Sequence, residues 1–126
     1  MAGEAVYVYL EREGAVLPVQ QGFSNVYTFF SPTNFVIPPR GILLLYLRVR
    51  VVVPPGYTGY FLSLSDLERQ GVFVGTQVLL PDARDELSIL LFNHSDRFYY
   101  GHVRDQVARL VLYRVVYPPV RLATAV

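Results

Sequence analysis

The chain has 126 residues, 52% of them apolar, and a formal net charge of +1. This length is enough for one domain with a hydrophobic core and too short for two. A charge so near zero gives no electrostatic reason to expect nucleic-acid binding. The longest apolar run, 41–47, is far shorter than the ~20 residues of a membrane-spanning helix, so no direct membrane insertion is expected. The first residues carry Glu4 and no basic segment, so a secretory signal is not expected either.

Cysteine and lysine, two residue types with reactive side chains, are absent from the sequence. There is no cysteine, which excludes disulfides, thiolate nucleophiles and zinc–thiolate sites. There is no lysine, since all eleven basic side chains other than histidine are arginine. Schiff-base chemistry and internal ubiquitination or acetylation sites are therefore excluded too. The two histidines, His94 and His102, are too few for a histidine-rich metal site, and no metal or other cofactor is expected.

The predicted elements are short strands separated by turns rich in proline and glycine. In chain order, the periodicity of apolar residues predicts strands at 5–10, 26–30, 35–37, 42–53, 60–64, 72–74, 98–101 and 107–117. One helical turn is predicted at 66–71, and no segment has a sustained helical period. This pattern predicts an all-β sandwich or barrel in a single domain.

The longest predicted strand, 42–53, has two faces. Its apolar face carries Leu45, Leu47, Val49 and Val51, and its wetter face carries Tyr46, Arg48 and Arg50. Such an alternation is typical of a strand with one side against the core.

The segment 77–93 is predicted to form a β-hairpin. Its two apolar runs flank a polar stretch in which proline and aspartate favour a turn. The predicted tip gathers the carboxylates of Asp82, Asp85 and Glu86. A cluster of this kind can hold a metal ion, act as a general base, or simply solvate a turn.

Other local patterns do not support catalysis. Residues 56–59 have neither the spacing nor the lysine of a phosphate-binding loop. His94, Ser95 and Asp96 are adjacent, and adjacent residues cannot point at one another as a catalytic triad requires. The hairpin carboxylates are therefore the strongest catalytic candidates in the local sequence.

The C-terminal residues Ala123, Thr124, Ala125 and Val126 have the Thr-x-Val pattern of a class I PDZ ligand, which also arises by chance. In that mode a peptide adds a strand to a sheet edge. Backbone N–H groups hold its carboxylate, and its last side chain fills an apolar pocket. Two prolines just upstream would free these residues from the sheet. We therefore predict a β domain at 1–117 and a flexible tail at 118–126.

Several motifs occur in the order found in the trimeric dUTPase family. They lie at 18–19, 24–30, 35–41, 53–59, 91–96 and 105–110, and the resemblance covers about residues 15 to 115. It implies a β jelly roll that assembles as a homotrimer, with active sites shared between subunits.

The chain differs from that family at the positions of its chemistry. The family's first-motif Asp is Thr28 here, its water-activating Asp is Leu80, and its uracil-stacking Tyr is Ala83. Its Arg-Ser-Gly phosphate motif is Leu64-Ser65-Asp66, and the phosphate-binding Arg of its fourth motif is Gln106. The Gly-rich arm that closes over the nucleotide has no counterpart.

A general base must accept a proton, and leucine cannot. The resemblance therefore implies a dUTPase fold without the family's catalysis. Asp82 stands two residues after the base position, so residual dUTP nucleotidohydrolase activity is the alternative.

Residues 7–14 and 93–102 also resemble the adenoviral early region four, open reading frame one proteins, a resemblance over essentially the whole chain. It implies a viral adaptor of the host cytoplasm, recruited to the plasma membrane through PDZ partners, with the nucleus as a further location. It also implies activation of phosphoinositide 3-kinase signalling, engagement of Myc, and increased anabolic metabolism and transformation.

A second protein-binding surface is predicted at two exposed turns. These turns would take the place of the family's nucleotide site, so their departures from the family pattern indicate either reuse or simple loss of constraint. The predicted residues are Asp66, Glu68, Arg69, Asn93, Asp96 and Arg97.

Overall fold

The computed structural model describes residues 4–124, which form twelve short strands and one helix. The strands are β1 (Tyr7–Leu10), β2 (Val19–Gln20), β3 (Val26–Phe30), β4 (Phe35–Ile37), β5 (Ile42–Tyr46), β6 (Val49–Val52), β7 (Tyr57–Leu62), β8 (Val72–Val74), β9 (Gln77–Leu79), β10 (Ser88–Asn93), β11 (Tyr99–Gly101) and β12 (Gln106–Arg114). The helix, α1 (Ser65–Arg69), lies between β7 and β8. The all-β prediction is confirmed.

Four antiparallel sheets surround one hydrophobic core. The largest has the strand order β2-β3-β12-β7-β9, and the next has the order β5-β10-β8. Two strand pairs, β1-β6 and β4-β11, complete the barrel-like body. Alternate side chains of most of these strands are buried in a single cluster, since successive residues of a strand point to opposite faces.

The predicted long strand at 42–53 is interrupted. Its apolar face is buried as expected, but the chain turns at Arg48, which has a positive φ of 62°. As a result β5 pairs with β10, whereas β6 pairs with β1 in a different sheet. One apolar run thus serves two sheets, because alternation predicts which side chains are buried and not where the backbone bends.

The predicted hairpin at 77–93 does not exist. Strand β9 pairs with β7, and β10 pairs with β5 and β8, so the intervening turn crosses from one sheet to another. Asp82 and Asp85 are exposed on that turn. Glu86 is largely covered, and its carboxylate lies 2.9 Å from Arg12 Nε. The prediction was wrong because local sequence identifies a strand and not its partner.

The remaining boundaries differ by a few residues. The predicted helical turn is present as α1, while β2 lies in a segment for which the sequence predicts no strand. The last strand ends at Arg114 and not at 117, and residues 115–124 have no regular structure. The division into a domain at 1–117 and a tail at 118–126 stays a prediction. Among the described residues, no helix is long and apolar enough to cross a membrane.

Candidate functional site

The two segments that the dUTPase resemblance assigns to phosphate binding, 64–66 and Gln106, line one cavity of about 360 Å³. The end of β7 leads into α1 through Leu64, and β12 begins opposite it at Gln106. We call this space the Gln106 cavity; it is lined by Leu64, Ser65, Asp66, Leu67, Tyr99, Asp105 and Gln106. Its lining includes two carboxylates and no cation, so its charge disfavours a polyphosphate.

The two carboxylates that line the Gln106 cavity each interact with another residue of the chain. Asp66 forms an ion pair with Arg69, one turn further along α1. Asp105 Oδ2 accepts a hydrogen bond of 2.8 Å from the backbone N–H of His102. Burial, and then the nearby Asp105 carboxylate, raise the pKa of the Tyr99 phenol above its usual value.

The other positions aligned with the family's chemistry lie outside this cavity. Thr28 is buried in β3 and accepts a hydrogen bond from the Gln21 side-chain amide. Leu80 follows β9 and is about half exposed, and Ala83 lies in the turn that crosses between the sheets. None of these side chains can carry a carboxylate's charge or accept a proton as a base does.

A second cleft, which we call the charged cleft, lies at the other end of α1. It has a volume of about 660 Å³ and is lined by residues 68–71 and 94–99. The structure therefore brings together four predicted surface residues, Glu68, Arg69, Asp96 and Arg97. Asp66 lines the Gln106 cavity instead, and Tyr99 lines both spaces. The predicted surface is divided between two neighbouring cavities.

Asn93, predicted at an exposed turn, is only 1% exposed. Its Nδ2 donates to the backbone oxygens of Ile37 (3.0 Å), Pro38 (3.2 Å) and Arg97 (2.7 Å). Its Oδ1 accepts from the Ser95 N–H at 3.0 Å and from the Ser95 hydroxyl at 2.7 Å. Asn93 therefore holds the 94–97 turn in place from inside. The tendency of Asn to bond backbone two residues further on was the available signal.

No triad forms from the adjacent His94, Ser95 and Asp96. The His94 ring stacks on Phe92 with ring centres 6.0 Å apart, and its backbone N–H donates to the Gly71 carbonyl. The Ser95 hydroxyl bonds Asn93 and the Arg97 carbonyl, and Asp96 pairs with Arg40 at 3.0 Å. Among residues 4–124 no three His, Asp or Glu side chains are grouped to hold a metal ion.

The C-terminal segment leaves the body where three side chains join the chain's two ends. Arg114, the last residue of β12, donates to the Tyr57 hydroxyl at 2.8 Å, and Tyr57 donates to Glu4 at 2.8 Å. Beyond this cluster the side chains at 116–124 are exposed, including those of Ala123 and Thr124. Ala125 and Val126 lie outside the described residues.

Comparison with known proteins identifies the fold family. The sequence pattern that defines the dUTPase family matches residues 13–126. The structure of the dUTPase from S. aureus phage phi11 matches with a TM-score of 0.88 and 19% identity, over 97% of both chains. The dUTPase of Staphylococcus bacteriophage 80alpha gives 0.87 and 18%, over 97% of both chains. The fold is thus that of a dUTPase.

Relatives that match over most of their length identify the group to which the chain belongs within this family. The Early 4 ORF1 protein of human adenovirus C serotype 2 is 58% identical, over 99% of this chain and 98% of the relative. E4-ORF1 of human adenovirus D serotype 9 is 45% identical, over 98% of each. A dUTP nucleotidohydrolase of Debaryomyces hansenii is 31% identical, over 98% of this chain and 79% of the enzyme. The chain belongs to the dUTPase family and, within it, to the adenoviral early 4 ORF1 proteins.

Proposed function

We propose that this viral protein is a non-catalytic adaptor that binds host PDZ-domain scaffold proteins through Ala123–Val126. It also promotes host phosphoinositide 3-kinase signalling, anabolic metabolism and transformation. The observation that carries the proposal is the segment after β12, which runs clear of the body with exposed side chains up to Thr124. It acts in the host cytoplasm, reaches the plasma membrane through its PDZ partners, and also enters the nucleus.

An exposed tail suits PDZ recognition because the ligand must add a strand to a sheet edge of its partner. The pairing cluster of Glu4, Tyr57 and Arg114 ends the body just before the tail. The residues after Arg114 therefore lie outside β12 and are not needed to form it. In a homotrimer, three such tails on one body raise the effective concentration at a scaffold with several PDZ domains.

Capture of PDZ proteins from host cells tests the tail. Removing Val126 takes away the apolar side chain that fills the pocket, and Thr124→Ala takes away the hydroxyl, so both variants are expected to lose capture. Thr124→Ser keeps the hydroxyl and Ala125→Ser changes the variable position, so both should still bind. Undiminished capture by the chain lacking Val126 would refute the proposal.

The non-catalytic part of the proposal is supported by the charge of the Gln106 cavity. Its described lining holds Asp66 and Asp105 where a triphosphate requires cations, and Leu80 stands where the family has its base. Two relatives named early 4 ORF1 are 58% and 45% identical, whereas dUTP nucleotidohydrolases match at 29–37%.

Calorimetry with a non-hydrolysable dUTP analogue and magnesium separates the adaptor from an enzyme. We expect no detectable heat of binding, because two carboxylates and no cation face the site of the phosphates. Restoring the family residues, with Asp66→Gly and Gln106→Arg together, is the matched comparison and should increase any binding. Tight binding by the unchanged chain would favour the alternative, a residual dUTP nucleotidohydrolase.

The charged cleft is the second protein-binding surface of this proposal. Glu68, Arg69, Asp96 and Arg97 present both signs of charge on one rim, which favours a partner with a complementary pattern. The phosphoinositide 3-kinase pathway and Myc are the partners proposed for this surface together with Asp66. Charge reversal at Asp66 or Asp96 is expected to reduce kinase activation while PDZ capture persists. Unchanged activation by both variants would remove this surface from the proposal.

A further inference from the structure

The proposed function does not explain why the sequence contains no lysine. Lysine is among the commonest residues of globular proteins, yet all eleven Lys and Arg positions of this chain are arginine. Arginine and lysine both keep a surface soluble and positively charged. The structure shows where the guanidinium group is needed and where an ammonium group would serve equally well.

Some arginines depend on guanidinium geometry. The Arg50 guanidinium lies 3.9 Å from the centre of the Tyr9 ring while its Nε donates to Glu11 at 2.8 Å. The Arg114 guanidinium lies 5.0 Å from the centre of the Tyr57 ring while its Nη2 donates to the Tyr57 hydroxyl at 2.8 Å. A planar group that stacks and donates at once is what lysine cannot supply. Local structure accounts for arginine at these positions.

Other arginines have no such requirement. Arg12 and Arg40 each contact a single carboxylate oxygen, and their side chains are 68% and 66% exposed. Ion pairs of this kind contribute little to stability and are open to lysine as well. Arg84 and Arg104 make no side-chain hydrogen bond or ion pair with any other residue of the range 4–124. Packing and pairing therefore do not explain why lysine is excluded everywhere.

What arginine lacks is a nucleophilic amine. Ubiquitin is carried as a thioester on an enzyme's cysteine, and the uncharged Nζ of a lysine attacks its carbonyl carbon. The C–N isopeptide bond forms as the C–S bond breaks, and the amine gives up a proton while the thiolate leaves. A guanidinium group is a far weaker acid than an ammonium group, so it stays protonated and cannot take the place of that amine. Cysteine, another nucleophile, is also absent.

We infer that the arginine-only surface protects this chain from lysine-directed ubiquitin conjugation and thus from the proteasomal turnover that follows it. The inference goes beyond the adaptor function, because it concerns how long the protein persists and not what it binds. It requires only that exposed positions which tolerate lysine have none. Arg84 and Arg104 are such positions, and neither lines the charged cleft.

The experiment introduces the missing amine. The double variant Arg84→Lys/Arg104→Lys is expressed as the full chain in human cells beside the unchanged chain, and decay is followed after protein synthesis is blocked. We expect the lysine variant to gain a ubiquitin ladder and to lose at least about half of its lifetime, with recovery when the proteasome is inhibited. The control Arg84→Gln/Arg104→Gln removes the same guanidinium groups without adding amines and should decay like the unchanged chain.

Two measurements keep the result decisive. Melting of the purified proteins and capture of PDZ partners, which should match in all three chains, show that a shorter lifetime is not caused by unfolding. Equal lifetimes of the lysine variant and the unchanged chain would overturn the inference. So would a ubiquitin ladder of equal strength on the lysine-free chain, because conjugation would then proceed without lysine.

Discussion

At the scale of single residues, one buried amide determines the shape of the charged cleft. Asn93 uses both of its Nδ2 hydrogens and its Oδ1 on backbone and hydroxyl groups of the 94–97 turn and of the segment after β4. This network joins elements that are far apart in sequence. The positions of the exposed Asp96 and Arg97 side chains therefore depend on Asn93, which is itself buried.

Replacing Asn93 tests that support. Asn93→Ala removes the amide that bonds the Ile37 carbonyl and the Ser95 N–H, which costs about 1–3 kcal/mol of unfolding free energy for each group left unsatisfied. Asn93→Asp should cost more, because it places a second oxygen against three carbonyl oxygens. Urea unfolding measures both variants. Asp96→Ala breaks only an exposed ion pair and should change stability by less than about 1 kcal/mol; an equal loss in this control would contradict the assignment.

Tyr99 connects the Gln106 cavity with the charged cleft. Burial, and then Asp105, raise the pKa of its phenol above the ordinary value of about 10. Because its pKa is higher in the folded state than in the unfolded state, Tyr99 contributes fully to folding stability below the unfolded-state pKa. That contribution is lost as the pH rises through the folded-state pKa. Tyr99→Phe cannot ionise, so its stability should fall less than that of the unchanged chain above pH ~10. Parallel stability curves for the two proteins across that range would refute this.

At the scale of elements, the sequence predicts which side chains are buried but not where a strand bends. Residues 42–53 alternate so regularly that the buried set, including Leu47 and Val49, is evident from the sequence alone. The bend at Arg48 is not evident, because arginine does not favour a positive φ and no glycine marks the position. The bend is held by nonlocal contacts, among them the bond of 3.1 Å from Arg48 Nη1 to the Glu13 carbonyl.

That bend can be tested directly. Arg48→Val places a β-branched side chain at a φ of 62° and should lower the unfolding free energy by about 1–3 kcal/mol. Arg48→Asn also loses the bond to Glu13, but asparagine tolerates this conformation, so its loss should be distinctly smaller. Chemical denaturation compares the two. A loss as large for Asn as for Val would show that the hydrogen bond, and not the backbone conformation, dominates.

Strand partners were harder to predict than strands. Residues 77–79 and 88–93 were both identified, but proximity in sequence suggested that they pair with each other. Instead β9 pairs with β7, and β10 pairs with β5 and β8 in a different sheet, because burial of the apolar face decides the sheet of each strand. The structure places 64–66 and Gln106, which the resemblance assigns to phosphate binding, on one cavity. Asn93, at the end of β10, is predicted at an exposed turn but is buried.

At the scale of the whole molecule, two sheet faces expose neighbouring large apolar side chains. On the five-stranded sheet, Tyr60 and Val78 are neighbours across β7 and β9, and the Tyr60 ring lies 5.7 Å from that of Tyr113. On the β5-β10-β8 sheet, exposed Ile42 and Leu44 are neighbours of Phe92 and Leu90. Large exposed apolar patches of this kind mark interaction sites.

We expect the five-stranded face to form the homotrimer that the dUTPase resemblance implies. It carries Thr28, and β9 at its edge leads to Leu80, two positions that this resemblance assigns to a site shared between subunits. Closed symmetry lets each copy cover the apolar face of the next.

Val78 and Leu44 offer a matched pair to test this, since their exposures are 46% and 48%. Val78→Asp buries a charge in the proposed interface, so light scattering should report the 14.3 kDa of one chain, whereas Leu44→Asp should keep three times that mass. Dissociation by Leu44→Asp with an intact Val78→Asp trimer would assign the two faces the other way round.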